Sequence, residues 1–123
     1  MVALGWNCPG LGNPQTVRVL CEFMQCWNPT TVFLAETKLN KKEVEKRRRS
    51  MSYLNCLFVP SKGQSGGLAM IWTMDTDLDI MTYKPHHINA IVTEPDSCRW
   101  RVTGFNGHLD THQRNGSWKL LTP

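Results

Sequence analysis

The apolar positions along this chain change period twice, and the changes predict its elements. Met1 to Cys8 is a short apolar run broken by Pro9-Gly10-Leu11-Gly12, which reads as a strand entering a turn. Asn13 then stands where an N-cap belongs and Pro14 at the first helical position. Val17, Leu20, Cys21 and Met24 follow at i, i+3, i+4 and i+7, one apolar stripe on a helix that ends near Asn28-Pro29. Thr31 to Leu34 is β-branched and apolar, a buried strand with the polar exit Ala35-Glu36-Thr37. The unit is β-α-β, for which a parallel strand pair is the default.

A second helix is predicted over Lys41–Ser52, with Asn40 as cap, Val44 and Met51 inward and basic residues outward. After it the period changes to that of strands: Leu54–Pro60, Leu68–Thr73, Leu78–Tyr83, Ile88–Thr93 and Arg99–Phe105, separated by Gly-, Pro- and Asp-rich turns. Ser117 to Leu121 reads as the start of a helix. The expected class is α/β, a βαβ opening followed by an antiparallel meander.

Composition narrows the partners. The 123 residues give room for one domain, 41% hydrophobic and 20% charged, as ordinary globular proteins are. The longest nearly apolar stretch, Gly66 to Trp72, is too short for a bilayer, and the N-terminus lacks the pattern of a signal peptide. No membrane role is expected, and the setting reads as intracellular, nucleus or cytoplasm. Five cysteines, odd in number and without a C-x-x-C pair, read as reduced, mostly buried thiols, with no zinc site. The net charge is +4, and its distribution is more telling. Lys41, Lys42, Lys46, Arg47, Arg48 and Arg49 make six basic residues in nine. Such a cluster can neutralise nucleic-acid phosphates; a solvated helix face with Glu43 and Glu45 interspersed is the simpler explanation, since charge runs usually keep a surface wet.

Several constellations invite chemistry. Glu36 leaves a buried strand at the edge where α/β sheets carry functional carboxylates, and Asn7 ends the neighbouring strand. Together they suit a hard cation such as Mg²⁺, which takes few protein ligands and keeps water; the plain alternative is a capping Asn7 and a solvated Glu36. Gly10-x-Gly12 between strand and helix hints at dinucleotide binding, but Gln15 occupies the position where a third small residue is needed. Asp75-x-Asp77-x-Asp79 mimics a calcium loop, with Ile80 and His86 where Gly and Glu are required. His108-x-Asp110-x-His112 has no matching second cluster, and His86-His87 reads as a structural turn. The five tryptophans read as core or half-buried.

Five stretches, taken in order, carry a family resemblance. Gly5-Trp6-Asn7-Cys8-Pro9-Gly10-Leu11-Gly12, Val32 to Lys38, Ser65 to Trp72, Trp100 to His108, and Arg114 with Ser117-Trp118 resemble segments of plant LINE-type retrotransposon endonuclease domains. Those domains belong to the endonuclease/exonuclease/phosphatase superfamily. The resemblance implies the N-terminal half of a four-layer, deoxyribonuclease-I-like α/β sandwich and Mg²⁺-assisted cleavage of a phosphodiester, with DNA as partner. It carries metal binding onto Glu36 and the neighbouring catalytic position onto Asn7. Asn106 stands where the family has an active-site Tyr, Pro9 where it has an Arg, and Leu109 where it has a Pro. The family's later Asp-x-Asn motif and terminal Asp-His pair have no counterpart. Residues 1–123 are therefore expected to form an incomplete, catalytically inactive domain. The absent half should supply the second sheet and leave one apolar sheet face uncovered, to be covered by self-association or by that half.

Overall fold

The computed structural model describes residues 2–50, 54–61, 66–105, 108–112 and 119–121. Strand β1 (Val2–Asn7) and strand β2 (Thr31–Ala35) lie parallel, Leu4 opposite Val32 and Asn7 opposite Ala35. Helix α1 (Pro14–Trp27) joins them. Asn13 caps it by accepting from the Gln15 N–H at 2.9 Å, and Asn28 closes it in the left-handed region at φ 45°. The expected cap, Pro14 start and Asn28 stop are thus all present.

Helix α2 (Lys41–Ser50) leads to β3 (Asn55–Val59) and β4 (Leu68–Trp72). β4 pairs antiparallel with both β2 and β3. A short strand, β9 (Lys119–Leu121), adds parallel to β1, completing the order β3-β4-β2-β1-β9. β5 (Asp77–Lys84), β6 (His87–Thr93), β7 (Arg99–Phe105) and β8 (His108–His112) form a second, wholly antiparallel sheet.

Burial divides the first sheet cleanly by face. Leu4, Val32, Leu34, Phe58, Ala69 and Ile71 pack against Leu20 of α1 and Val44 of α2. Ala3, Phe33, Ala35, Val59 and Met70, on the other face, pack against Leu78, Ile88, Ala90, Val92, Trp100, Val102 and Leu109 of the second sheet. The described residues therefore build three layers, helices on sheet on sheet. Gly104 lets the sheets approach, since a Cβ there would overlap the ring of Phe33. Among the described residues no helix is long and apolar enough to cross a membrane.

Several expectations need correction. The predicted meander is split: β3 and β4 join the first sheet, and the second sheet starts at β5 within this chain. Its outer face is mixed, with Phe105 52% exposed there among polar neighbours. Asp79, Asn89, Arg101 and Thr103 lie there beside Ile91, and Thr103 Oγ1 donates to Asn89 Oδ1 at 3.3 Å. Lys119–Leu121 is strand rather than helix, because the open edge of β1 offers partners to the backbone groups facing it, whereas a few-residue helix is not stable. The α1 stripe is rotated: Thr16 and Leu20 are buried, Phe23 and Met24 pack beside them, and Cys21 faces solvent. The inward face runs at i−4 and i+3 from Leu20, and Cys21 lies about 100° further round the helix. Of the five free cysteines only Cys8 is buried; Cys21 and Cys26 are exposed, Cys56 and Cys98 partly so. Trp27, at 51% exposure, breaks the expectation of half-buried tryptophans. Met51, Asn106, Arg114, Ser117 and Trp118 lie outside the described residues.

The sheet contact gives a direct test. Gly104→Ala should cost about 1–3 kcal/mol by overpacking against Phe33, read as a lower midpoint in urea at unchanged m. A midpoint equal to the parent's would show that the sheets are not in this contact.

Candidate functional site

The loop leaving β2 has an unusual backbone. Glu36 and Lys38 both sit in the left-handed region, at φ 58° and 56°, a conformation that costs a non-glycine residue about 1–3 kcal/mol. Hydrogen bonds hold it from two sides. The Thr37 N–H donates to Gly67 O at 3.1 Å and the Lys38 N–H to Gly66 O at 2.9 Å; from the other side the Leu11 N–H donates to Thr37 O at 2.8 Å. Gly67 has φ +89°, and a Cβ there would collide with Thr37 Oγ1, so the Gly66-Gly67 pair is what lets the two segments meet.

This arrangement fixes Glu36. The Gly66 N–H donates to Glu36 Oε2 at 3.0 Å, leaving the other carboxylate oxygen for a ligand. Asn7, at the end of β1 and exposed, lines the same cleft of about 160 Å³, together with Ala35, Gly66, Gly67, Leu68, Pro85 and His86. The structure thus brings the predicted pair, Asn7 and Glu36, to one rim. A half-buried carboxylate and an amide beside room for several waters fit the donor set that Mg²⁺ takes.

Beneath the rim, Cys8 Sγ lies 3.2 Å from Ala35 O and 3.6 Å from Glu36 O. Burial first, with Glu36 adding to it, raises this thiol above its ordinary 9.0.

The basic helix is partly committed to structure. Asn40 and Glu43 form a reciprocal cap on α2, Glu43 N to Asn40 Oδ1 at 3.0 Å and Asn40 N to Glu43 Oε1 at 3.2 Å. Arg47 donates to Leu11 O at 2.9 Å, tying α2 to the turn after β1. Arg48 pairs with Glu45 at 3.5 Å and lies beside the Cys56 thiol. Lys41, Lys42, Lys46 and Arg49 are exposed. Lys41 and Lys42 line a groove of about 580 Å³ with Val59, Pro60, Ser61 and Pro85. Pro85 also lines the Glu36 cleft, so the two recesses adjoin.

No family model matches the sequence, and no curated protein matches it. Solved structures do match. The chain is similar to the AP endonuclease LMAP from Leishmania major, at 16% identity and TM-score 0.61, over 85% of this chain and 38% of that one. It is also similar to the 3' phosphatase NExo from Neisseria bound to a product DNA hairpin, at 15% identity and TM-score 0.52, over 74% of this chain and 37% of that one. An AP endonuclease from Archaeoglobus fulgidus matches at 14% identity and TM-score 0.52, over 74% of this chain and 36% of that one. The fold is that of the AP endonucleases.

On the AP-endonuclease fold, the expected deoxyribonuclease-I-like architecture is thereby observed, and the chain spans little more than a third of each of these neighbours. Asn7 ends β1 and Glu36 directly follows the neighbouring parallel strand β2, at the edge where open α/β sheets bind ligands. The other constellations come apart. Among the described residues no group of three His, Cys, Asp or Glu could hold a metal ion. Thr73 Oγ1 donates to Asp75 Oδ1 at 2.7 Å in an ordinary turn, and Asp77 and Asp79 lie on the wet face of β5. His108–His112 is a strand whose Leu109 is core. The sequence read His86 as part of a structural turn, and the fold sets that turn at the lining of the cleft. Its one signal is the neighbouring Pro85, which fixes a turn whose reach becomes visible only once the second sheet is placed.

The buried thiol makes a pH prediction. A thiol raised in the folded state contributes stability fully below the unfolded value near 9.0, and loses it as pH rises through the folded value. Cys56 is raised by burial in the same sense. The urea midpoint should therefore fall between pH 8 and pH 10, and less so in Cys8→Ala. Iodoacetamide should label Cys21 and Cys26 first; early labelling of Cys8 would contradict the packing beneath Glu36.

Proposed function

We propose that the chain forms part of a Mg²⁺-dependent phosphodiesterase of the plant LINE-retrotransposon endonuclease kind. As it stands it holds a cation at the rim without cleaving DNA. The observation that carries this reading is Glu36, oriented by the Gly66 N–H in a cleft it shares with Asn7. Glu36 would bind the ion and Asn7 would stand beside it; the bound cation would supply polarisation of a phosphoryl oxygen and charge stabilisation of the leaving oxygen. The five matched sequence segments support the retrotransposon setting. The 36–38% share of the neighbours' chains supports reading residues 1–123 as an incomplete domain. Inactivity rests on the lining of the cleft, where Glu36 is the one carboxylate among the described residues. Groups that act as a unit fail together when part of the set is missing. The free cysteines among the described residues support an intracellular setting, nucleus or cytoplasm.

Plasmid incubated with the purified chain and Mg²⁺ should show no nicking beyond that of Glu36→Ala. Nicking by the parent that Glu36→Ala abolishes would overturn the claim of inactivity while supporting the site.

A second reading, non-catalytic DNA binding through α2, is favoured by the exposed lysines beside the groove that adjoins the Glu36 cleft. It predicts sequence-indifferent binding whose log–log salt slope falls by about 0.9 for each phosphate contact removed. Lys41→Gln with Lys42→Gln should lower that slope, and Lys46 and Arg49 should contribute less. Arg47→Gln should chiefly lower the urea midpoint, because its guanidinium holds Leu11 O. A salt-independent affinity would exclude this reading.

A further inference from the structure

We propose that the groove beside α2 takes unpaired nucleotides, so that the chain binds single-stranded DNA in preference to duplex. The inference rests on the reading of α2 as a DNA-binding face and names the form of DNA that face takes.

Three recesses join end to end along this side of the molecule. The Glu36 cleft and the groove of about 580 Å³ share Pro85. The groove and a third recess, of about 370 Å³, share Lys41 and Lys42, and Lys46 and Arg49 line the third as well. The track changes chemistry along its length: a carboxylate and an amide, then an apolar stretch of Val59, Pro60 and Pro85, then four cations. Main-chain bonding holds the apolar stretch against the helix, since the Ser61 N–H donates to Leu39 O at 2.8 Å and so ties the end of β3 to the segment entering α2. The charges nearby divide into two groups. Arg47 holds Leu11 O and Arg48 pairs with Glu45, whereas no ion pair among the described residues engages Lys41, Lys42, Lys46 or Arg49.

A ligand that matches this order carries spaced anions and an apolar body between them. Duplex DNA supplies the anions, but its base faces are stacked and its base edges paired, which leaves nothing apolar for Val59 and the two prolines. An unpaired strand exposes those faces, and proteins that take such strands combine a cationic groove with side chains against which bases lie. Proline rings serve as apolar surfaces of this kind where they wedge between base steps. Held at a fixed φ, they need little ordering when a base arrives. Charge alone works in the opposite direction, because the phosphates of a duplex are denser than those of a single strand. A preference for the single strand therefore reports the apolar stretch and not the lysines.

The test is fluorescence anisotropy of the full chain with a labelled oligothymidylate and with a duplex of equal length, in EDTA so that no cation occupies the Glu36 cleft. The single strand should bind about fivefold or more tightly than the duplex. A strand of abasic nucleotides keeps every phosphate and offers no base, and it should lose that advantage without any change to the protein. Pro60→Asn with Pro85→Asn should bring the two affinities together by weakening the single strand, with a far-UV spectrum matching the parent's as the check on folding. Lys41→Gln with Lys42→Gln should weaken both forms. If the duplex or the abasic strand binds as tightly as oligothymidylate while the lysine substitutions still weaken binding, the preference is overturned and the α2 reading stands. If the lysine substitutions change neither affinity, both fall together. A glutamate peptide of equal charge that binds as tightly as oligothymidylate would also overturn the inference, since the track would then take an acidic chain without bases.

Discussion

The left-handed backbone at Glu36 and Lys38 persists because hydrogen bonds hold it from two sides, and the candidate site depends on that lock. On one side Gly66 and Gly67 accept from the Thr37 and Lys38 amides; on the other Leu11 donates to the Thr37 carbonyl. Local strain of this kind survives only where surrounding structure over-determines it. The same glycine pair then returns a donor, the Gly66 N–H, to the Glu36 carboxylate. One feature therefore turns the chain at the end of β2, closes it against β4 and orients the side chain that leaves it. Arg47 braces the arrangement from below through Leu11, which explains why one member of the basic cluster is withdrawn from the surface.

The cleft needs the second layer as well. Its floor is the first sheet, where Asn7 and Ala35 stand side by side in register, but part of its wall is the turn at Pro85 and His86. That turn is in place because the second sheet packs closely on the first. β8 lies against β1 and β6 against β4, with Gly104 giving space to the Phe33 ring. The packing that holds the core together thus also sets this wall of the cleft.

Much of this was legible in the sequence because it is local. Asn13-Pro14 and Asn28 mark the ends of α1, Asn40 with Glu43 marks the start of α2, and the β-branched run before Glu36 marks a buried strand with a polar exit. The parallel neighbourhood of β1 and β2 followed from the βαβ rule and brought Asn7 to Glu36. What was not legible depends on pairings between distant segments. The division of the meander between two sheets has no local signal, since strands facing either layer show the same alternation. β9 owes its conformation to the open edge of β1, and β8 has only Leu109 as an inward apolar residue. The exposed side of α1 could not be fixed from a stripe containing Cys21, because cysteine packs as readily as it faces water. His86 carried no motif at all; the hairpin's reach across the rim is a property of the assembled layers.

The central claim is that the end of β2 presents an oriented carboxylate to a cation. Crystals soaked in Mn²⁺ test it most directly, through the anomalous signal that locates the ion without reference to activity. The account predicts a peak in the cleft between Asn7 and Glu36, within coordinating distance of the Glu36 oxygen that does not accept from Gly66. Strong peaks elsewhere, for instance at the Asp75–Asp79 turn, with none at Glu36 would contradict it.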